Sequence, residues 1–90
     1  MEPIITWNED KNILLRQQRW IGFKDILLAM EEEKVLDVIP HHNPEKYPNQ
    51  SIYIIEVSDY IYYVPFVKSE QWIFLKTIIP SRKHNKQYTS

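Results

Sequence analysis

Three runs of β-branched and aromatic residues dominate the second half of the chain and limit its possible folds more than any other feature. They occupy residues 52–57, 60–67 and 72–79. Ser58 and Asp59 separate the first two runs, and four polar residues separate the second and third, as is typical of hairpin connections. Neither connection contains glycine, so a type I′ turn is not strongly indicated. The pattern predicts three antiparallel strands followed by a charged tail.

The first third of the chain predicts a strand and then a helix. A short β-type run at residues 4–7 ends at Asn8, a favourable helix N-cap, with two acidic residues directly after it. The helix predicted over residues 9–19 carries only a weak apolar stripe on one side. The stripe consists of Ile13, Leu14, Gln17, Gln18 and Ile21. Gly22, the only glycine in the chain, breaks this helix.

A second helix and a further strand follow. Apolar side chains recur at i, i+3, i+4 and i+7 from Phe23 to Met30, which indicates an amphipathic helix. Residues 35–39 read as a strand that Pro40 stops, before a proline-rich loop up to residue 50. The element order is therefore β-α-α-β-β-β-β, an α+β domain with two N-terminal helices packed on one face of a mainly antiparallel sheet. At 90 residues the chain is predicted to form a single domain, 1–90.

Alternation along the strand predicted at residues 60–67 divides its aromatic side chains between two faces. Tyr62 and Phe66 fall on one face, and Tyr63 and Pro65 fall on the other. Because proline cannot donate to a ladder, either the strand is interrupted at Pro65 or its missing N–H lies where none is needed. The three tryptophans, Trp7, Trp20 and Trp72, are predicted to pack in the core or at its rim.

Composition excludes several kinds of site. The chain has no cysteine, so it has no disulfide and no thiolate ligand for zinc. One glycine cannot build a phosphate-cradling loop, and the adjacent pair His41 and His42 cannot chelate one metal from an extended chain. We therefore expect no metal and no cofactor. No apolar run approaches the roughly 20 residues of a membrane-spanning helix, and nothing resembles a signal peptide, so a cytoplasmic location without membrane contact is expected.

Charge is unevenly distributed although the net charge is only −1. Residues 1–45 carry nine acids against five Lys and Arg, whereas residues 46–90 carry three acids against six. From Lys76 onward the chain has no acid, but it contains Lys76, Arg82, Lys83, Lys86 and His84. Such a segment creates a local positive patch, or else it is simply a solvated C-terminus.

Lys, Arg, His and Tyr side chains in the loop and the tail are the groups that metal-free RNA cleavage requires. A base must deprotonate the 2′-hydroxyl, cations must stabilise the phosphorane, and an acid must protonate the leaving 5′ oxygen. Lys and Tyr ionise near pH 10, so neighbouring cations would have to lower the pKa of either group before it could act as a base.

Motifs at both ends and in the middle of the chain resemble the BrnT group of RelE-like ribonuclease toxins, from bacterial toxin-antitoxin pairs. The opening motif is Thr6-Trp7-Asn8-Glu9-Asp10-Lys11-Asn12, and the middle one is Ile21-Gly22-Phe23 with an amphipathic helix after it. The closing motif is Lys76-Thr77-Ile78-Ile79-Pro80-Ser81-Arg82-Lys83, followed by Lys86 and Tyr88. Their order and spacing extend over nearly the whole chain. The resemblance implies a RelE/BrnT-like fold, RNA cleavage without a metal, and neutralisation by an antitoxin encoded alongside, a small DNA-binding protein.

The resemblance also implies roles for particular side chains. The family's Ser-Arg-Lys stretch falls on Ser81, Arg82 and Lys83, and its tail tyrosine falls on Tyr88. Arg82 would hold the scissile phosphate through two parallel hydrogen bonds, which a planar guanidinium makes better than an ammonium. Tyr88 or a histidine would transfer a proton.

Other side chains add to this predicted site. Lys83, Lys86 and Lys76 would stabilise charge, and Lys46, His41 and His42 are added because the predicted sheet brings their loop near the tail. The predicted catalytic set is Arg82, Lys83, Tyr88, Lys86 and His42. The predicted substrate-binding set is Lys76, Lys46, His41, Ser81 and Tyr63.

Two hypotheses follow from the sequence. One is a metal-independent ribonuclease toxin. The other is a non-catalytic member that binds protein or RNA through the same sheet and tail, which the slightly acidic composition and the aromatic strands favour.

Overall fold

The protein is an α+β domain of two helices and a six-stranded mixed sheet, which confirms the predicted class. The computed structural model describes residues 3–81. In chain order the elements are β1 (Ile4–Trp7), α1 (Glu9–Arg19), α2 (Phe23–Glu31), β2 (Val35–Pro40), β3 (Gln50–Val57), β4 (Tyr60–Lys68), β5 (Trp72–Leu75) and β6 (Ile79–Pro80).

The strands lie in the order β1-β5-β4-β3-β2 across the sheet, and β6 pairs with β4. The pairing of β1 with β5 is parallel, and every other pairing is antiparallel. The expected mainly antiparallel sheet is therefore confirmed. The N-terminal strand lies at one edge of the sheet and β2 lies at the other.

The run at residues 72–79 forms two strands, so the prediction of one continuous strand is wrong. Beyond β5, the N–H of Lys76 donates to the C=O of Pro65 at 2.8 Å. In a strand, the N–H and C=O of one residue point to the same side. A regular antiparallel ladder would therefore need a return hydrogen bond from the N–H of Pro65 to Lys76, and proline has no N–H. Pro65 stays within β4 and pairs with Ile52 on its other side, while the partner strand breaks and resumes as β6.

Both helices contribute to a core on one face of the sheet. The buried side chains from the helical half are Leu15, Ile21, Phe23, Ile26 and Ala29. Those from the strand half are Ile55, Val64, Phe66, Ile73, Leu75 and Ile78. Burial of this apolar surface is the main contribution to the stability of the fold.

The buried side of α1 is not the predicted stripe. Ile13 and Leu14 are 49% and 43% exposed, and the buried residues of this helix are Asn12 and Leu15. The Oδ1 atom of Asn12 accepts the N–H of Phe23 at 2.8 Å, and its Nδ2 donates to Glu9 at 3.0 Å. The side-chain amide of Asn12 is therefore buried where it accepts a hydrogen bond from the start of α2. The orientation of α1 differs accordingly from the one that apolar periodicity predicts.

Gly22 has a structural role beyond ending α1. A Cβ atom at this position would lie 2.7 Å from Oδ1 of Asn12 and 2.9 Å from Cγ of Arg16. Its N–H donates to the carboxylate of Asp25 at 2.9 Å, which fixes the first turn of α2. Glycine at this position is what allows the two helices to meet so closely.

Positive φ angles explain two further differences from prediction. Trp20 caps α1 with φ 61°, and its side chain is 92% exposed, so the prediction that it packs in the core or at its rim is wrong. Ser58 and Asp59 have φ angles of 52° and 64°, so a turn of the type I′ kind forms without glycine. Neither helix within residues 3–81 is long and apolar enough to cross a bilayer.

Candidate functional site

The face of the sheet turned away from the helices, called here the helix-free face, carries the side chains that alternate with the core. Strand register assigns to it Ile39, Ile52, Ile54, Ile61, Tyr63, Pro65, Val67, Phe74 and Ile79. Ile54 and Ile61 are 4% and 3% exposed and do not belong to the core beneath the helices. The middle of this face is therefore apolar, and its chemistry lies at its two ends.

One end of the helix-free face carries the His/Lys cluster, defined as His41, His42, Lys46, Tyr47 and Lys76. The rings of His41 and His42 stack with their centroids 4.2 Å apart, and the ring of Tyr47 lies 4.5 Å from that of His41. Nζ of Lys46 lies 5.5 Å from the centroid of the Tyr47 ring, within cation–π range. Two imidazoles, a phenol and a cation thus form one contiguous group.

Asn43 and the backbone around it order the loop that carries the cluster. The N–H of Tyr47 donates to the C=O of Asn43 at 3.0 Å, and the side chain of Asn43 accepts the N–H of Lys46 at 3.4 Å. Asn followed by Pro44 favours such a turn, because the amide accepts from the backbone and proline presets the next φ angle. The loop is anchored to the neighbouring hairpin by the N–H of Lys68, which donates to Asn49.

Lys76 joins the cluster on the same face from the end of β5, across β4 from the start of β3. Its Nζ donates to Oε1 of Gln50 at 3.2 Å, and the backbone C=O of Gln50 accepts the N–H of His41 at 3.2 Å. Because Lys76 follows Leu75, which is fully buried in the core, alternation places the lysine on the helix-free face. The break after β5 therefore brings Lys76 to the loop before β3.

The surroundings of His41 favour its neutral form. Desolvation, with the neighbouring charges of His42 and Lys76 adding to it, lowers the pKa of His41 below its ordinary value of 6.5. Its Nδ1 accepts the N–H of Asn43 at 3.0 Å, so this hydrogen bond assigns the remaining proton of the neutral ring to Nε2. His41 consequently presents an N–H donor, which suits an anionic oxygen and fits the substrate-binding role predicted for it.

Tyr63 and Ser81 lie further along the same face. Tyr63 pairs with Ile54 and Ile79, and it is half-buried in the middle of the face. Ser81 is 1% exposed, and its N–H donates to the C=O of Ile61 at 3.0 Å. Ile61 is four residues from Pro65 along β4, so Ser81 lies about 13 Å from the Lys76 end of the face at the rise of a strand.

The structure thus brings together His41, His42, Lys46 and Lys76 from the predicted site, and places Tyr63 and Ser81 apart from them on the same face. The predicted residues Arg82, Lys83, Lys86 and Tyr88 lie outside the described residues. Sequence reasoning missed Tyr47 and Gln50. The signal for Tyr47 was its position between Lys46 and Pro48 in a histidine-bearing loop, whereas nothing in the sequence marks Gln50 as the acceptor for Lys76.

The cations of the cluster form no salt bridge with an acid in the part of the chain that the structure describes. The two salt bridges found within residues 3–81, Arg16 with Asp25 and Lys34 with Glu56, both lie elsewhere. Within the same residues, no group of His, Asp and Glu side chains has an arrangement that could hold a metal ion. The cluster therefore offers positive charge and ring N–H groups to a ligand, and its chemistry is that of an anion site.

Two cavities formed by the described residues lie outside the His/Lys cluster. A cavity of about 320 Å³ between α2 and the β3–β4 turn is mainly acidic, with Asp25, Glu32, Glu56 and Asp59 around Lys34. A second, of about 700 Å³, borders the loop at Pro48 and Asn49. The cluster itself is an open surface, which suits an extended ligand better than a small enclosed one.

Comparison with known proteins identifies no relative. No protein-family model, no curated protein and no solved structure matches the chain.

Proposed function

We propose that the protein is a metal-independent ribonuclease that acts as the toxin of a bacterial type II toxin-antitoxin pair. The observation that carries the proposal is the His/Lys cluster, which gathers Lys46, Lys76 and His41 at one end of the face with no salt bridge to an acid within residues 3–81. An extended phosphodiester matches this open, cationic and aromatic surface, because phosphates take the charge and exposed bases stack on rings.

The basic tail complements the cluster. Arg82 and Lys83 follow Ser81 in the sequence, and Ser81 lies at the other end of the helix-free face. Nine residues follow Ser81, and their extended reach of about 30 Å exceeds the distance back to Lys76. The tail can therefore supply Arg82, Lys83, Lys86 and Tyr88 to an RNA strand held against the cluster.

The chemistry follows from these groups. The 2′-hydroxyl oxygen attacks the adjacent phosphorus while a base, His42 or Tyr88, removes its proton. Arg82, Lys83 and Lys76 stabilise the negative charge that builds on the phosphorane oxygens. The bond to the 5′ oxygen breaks, that oxygen is protonated by the remaining acid, and a 2′,3′-cyclic phosphate and a 5′-hydroxyl result.

The motifs at both ends of the chain support the RelE/BrnT-like assignment within the α+β class. The element order, with a strand and two helices before a mainly antiparallel sheet, is consistent with it. The assignment brings a partner with it, a cognate antitoxin encoded alongside that is itself a small DNA-binding protein. The antitoxin would cover the basic tail and block RNA from the helix-free face.

Analysis of the RNA ends tests the reaction. Purified protein is incubated with a short labelled RNA in excess EDTA, and the products are analysed by mass spectrometry. We expect a 2′,3′-cyclic phosphate on one fragment and a 5′-hydroxyl on the other. DNA of the same sequence should stay intact because it lacks the attacking 2′-hydroxyl. Cleavage that EDTA abolishes, or cleavage of both nucleic acids alike, would refute the mechanism.

Variants in the tail and in the His/Lys cluster locate the activity. Arg82→Ala should slow cleavage by about 10² or more, the scale of losing one charge-stabilising contact. Lys76→Gln should reduce cleavage less, because Lys76 shares its role with Lys46. Lys24→Gln is the matched control, since Lys24 is an exposed cation on α2 at the opposite face. Equal losses in all three variants would indicate a non-specific effect of charge.

A non-catalytic binding module is the second candidate. The helix-free face keeps large apolar side chains partly exposed, with Trp72 at 42% and Ile79 at 41%, and the net charge of the chain is −1. A protein partner would bury that surface. This function predicts a stable complex with the partner and intact RNA in the cleavage assay, at protein concentrations where folding has been verified.

A further inference from the structure

A second surface, unrelated to the His/Lys cluster, lies where β1 forms the edge of the sheet. A groove of about 700 Å³ runs between this edge and the end of α2. This groove, called here the edge groove, is lined by Pro3, Ile5, Leu27, Met30, Glu31, Glu33 and Ile73. Its floor is apolar, and its two polar residues are both glutamates.

Within residues 3–81, the outer side of strand β1, next to the groove, pairs with no other strand. The N–H of Ile4 donates to the C=O of Gln71, so Ile4 and Thr6 face β5. Ile5 and Trp7 alternate with them and direct their N–H and C=O groups outward, where the described part of the chain adds no further strand. The side chain of Ile5 lies in the groove, so a strand added to β1 would pass along the groove.

The opposite edge of the sheet, at β2, is more fully protected against strand pairing than the edge at β1. On β2, the outward N–H of Val38 donates to the carboxylate of its neighbour Asp37 at 2.8 Å. Pro40 has no N–H at all, and a register shift between Val35 and Asp37 disturbs the strand further. Natural sheets block their edges in these ways against unwanted pairing. At β1, Pro3 likewise offers no N–H on the outward side, but within the described residues no side chain accepts the outward N–H groups of Ile5 and Trp7.

Charge at the groove selects the chemistry of the occupant. Glu31, Glu32 and Glu33 lie at the C-terminal end of α2, which has no basic residue in its last turn. Negative charge there is unfavourable with the helix dipole, and a cation would relieve it. Lys34 does not do so for the groove, because its ion pair is with Glu56. A second copy of the chain would bring the two sets of glutamates towards each other across a β1–β1 pair.

We propose that the edge groove binds an extended basic segment of a partner protein, added as a strand to β1. Its main chain pairs with Ile5 and Trp7, and every second side chain enters the groove. Among these groove-facing side chains, an apolar one packs between Ile5 and Met30, and Lys or Arg meets Glu31 and Glu33. This binding is independent of RNA, because the groove is acidic and lies on the helix-bearing side of the sheet.

The test uses a synthetic extended peptide whose groove-facing positions are taken in turn by valine and lysine, with threonine between them, titrated into the full chain by calorimetry and followed by amide NMR. We expect saturable binding that weakens with added salt and shifts the amide signals of Ile5 and Trp7. The same peptide with glutamate in place of lysine should not bind. A version methylated on the backbone nitrogens that face β1 should not bind either, since strand pairing needs those donors.

The three adjacent glutamates provide a matched set of variants. The double variant Glu31→Gln/Glu33→Gln should weaken peptide binding roughly fivefold or more, since two ion pairs are lost. Glu32→Gln should bind as the wild type does, because Glu32 lines the neighbouring cavity and not the edge groove. All three side chains are exposed, so these variants should fold normally.

Several outcomes would overturn the proposal. They are no binding of the lysine peptide, equal binding of the glutamate or the N-methylated peptide, wild-type affinity in the double variant, and shifts at the β2 edge instead of β1. Light scattering of the chain, first without and then with the peptide, tests whether a second copy of the chain occupies the groove instead. A concentration-dependent dimer that the peptide does not dissociate would assign the groove to a second copy.

Discussion

Both faces of the sheet are largely apolar, but only one of them packs against the helices. The helix-bearing face buries Phe23, Ile26, Ile55 and Leu75 completely. The helix-free face is also apolar in its middle, but it ends in a stacked, cationic group that makes no salt bridge within the described residues. Core burial accounts for the fold, and the proposed chemistry is assigned to the cluster. Substitutions on one face should therefore change stability, and those on the other should change activity.

The largest expected effect comes from the core. Phe23→Ala should lower the free energy of unfolding by about 3–5 kcal/mol, because a fully buried ring is replaced by a cavity. For a domain of this size that is a large part of the total stability. Phe74→Ala on the helix-free face is the control, and its half-buried ring should cost much less. Denaturant titrations followed by circular dichroism measure both, and equal costs would remove the distinction between the faces.

Gly22→Ala should destabilise the protein by about 1–3 kcal/mol, as overpacking does. The added Cβ would lie 2.7 Å from Oδ1 of Asn12, whose position is fixed by its bond to Phe23. Thermal unfolding measures the change. Gln18→Ala, on an exposed position of α1, should stay within about 0.5 kcal/mol of the wild type. An unchanged midpoint for Gly22→Ala would show that the contact between the helices is looser than described.

Lys76→Gln tests the other face. Its unfolding free energy should stay within about 0.5 kcal/mol of the wild type, since Lys76 is exposed and its one hydrogen bond is to Gln50. Its affinity for a short RNA should fall, and the slope of log affinity against log salt should decrease by about 1. Fluorescence anisotropy at several salt concentrations gives the slope. A slope identical to that of the wild type would place Lys76 outside the RNA contact.

The smallest expected effect is on pH dependence. The pKa of His41 is lowered in the folded state, so the unfolded chain binds the proton more readily. Stability from this group is present above pH 6.5 and declines as the pH falls through the window below it. His41→Asn removes this contribution, so its stability should decline less between pH 7 and pH 5 (about the range in which histidine titrates). Parallel pH profiles for the variant and the wild type would contradict the assignment.

Local signals in the sequence predicted most of the fold. Asn8 accepts the N–H of Lys11 as the predicted cap, and the spacing from Phe23 to Met30 gave α2 nearly to its end. Features that depend on contacts distant in sequence escaped prediction. The break after Leu75 depends on Pro65 in the neighbouring strand, and the orientation of α1 depends on the hydrogen bond that the N–H of Phe23 donates to Oδ1 of Asn12.

The candidate site was predictable in part for the same reason. Residue type and loop position pointed to His41, His42 and Lys46, and the charge of the tail pointed to Lys76. Tyr47 and Gln50 join the cluster only through ring stacking and a hydrogen bond across the sheet, which no spacing along the chain reveals. The exposure of Trp20 was missed because the αL conformation at the end of α1 directs its side chain outward.

Induced expression in a bacterial host tests the central claim most directly, with growth and total RNA integrity followed together for the wild type, Arg82→Ala and the Lys24→Gln control. We predict growth arrest with loss of RNA for the wild type and the control, and normal growth with intact RNA for Arg82→Ala. Normal growth and intact RNA with abundant, folded wild-type protein would contradict the nuclease assignment and favour the binding module.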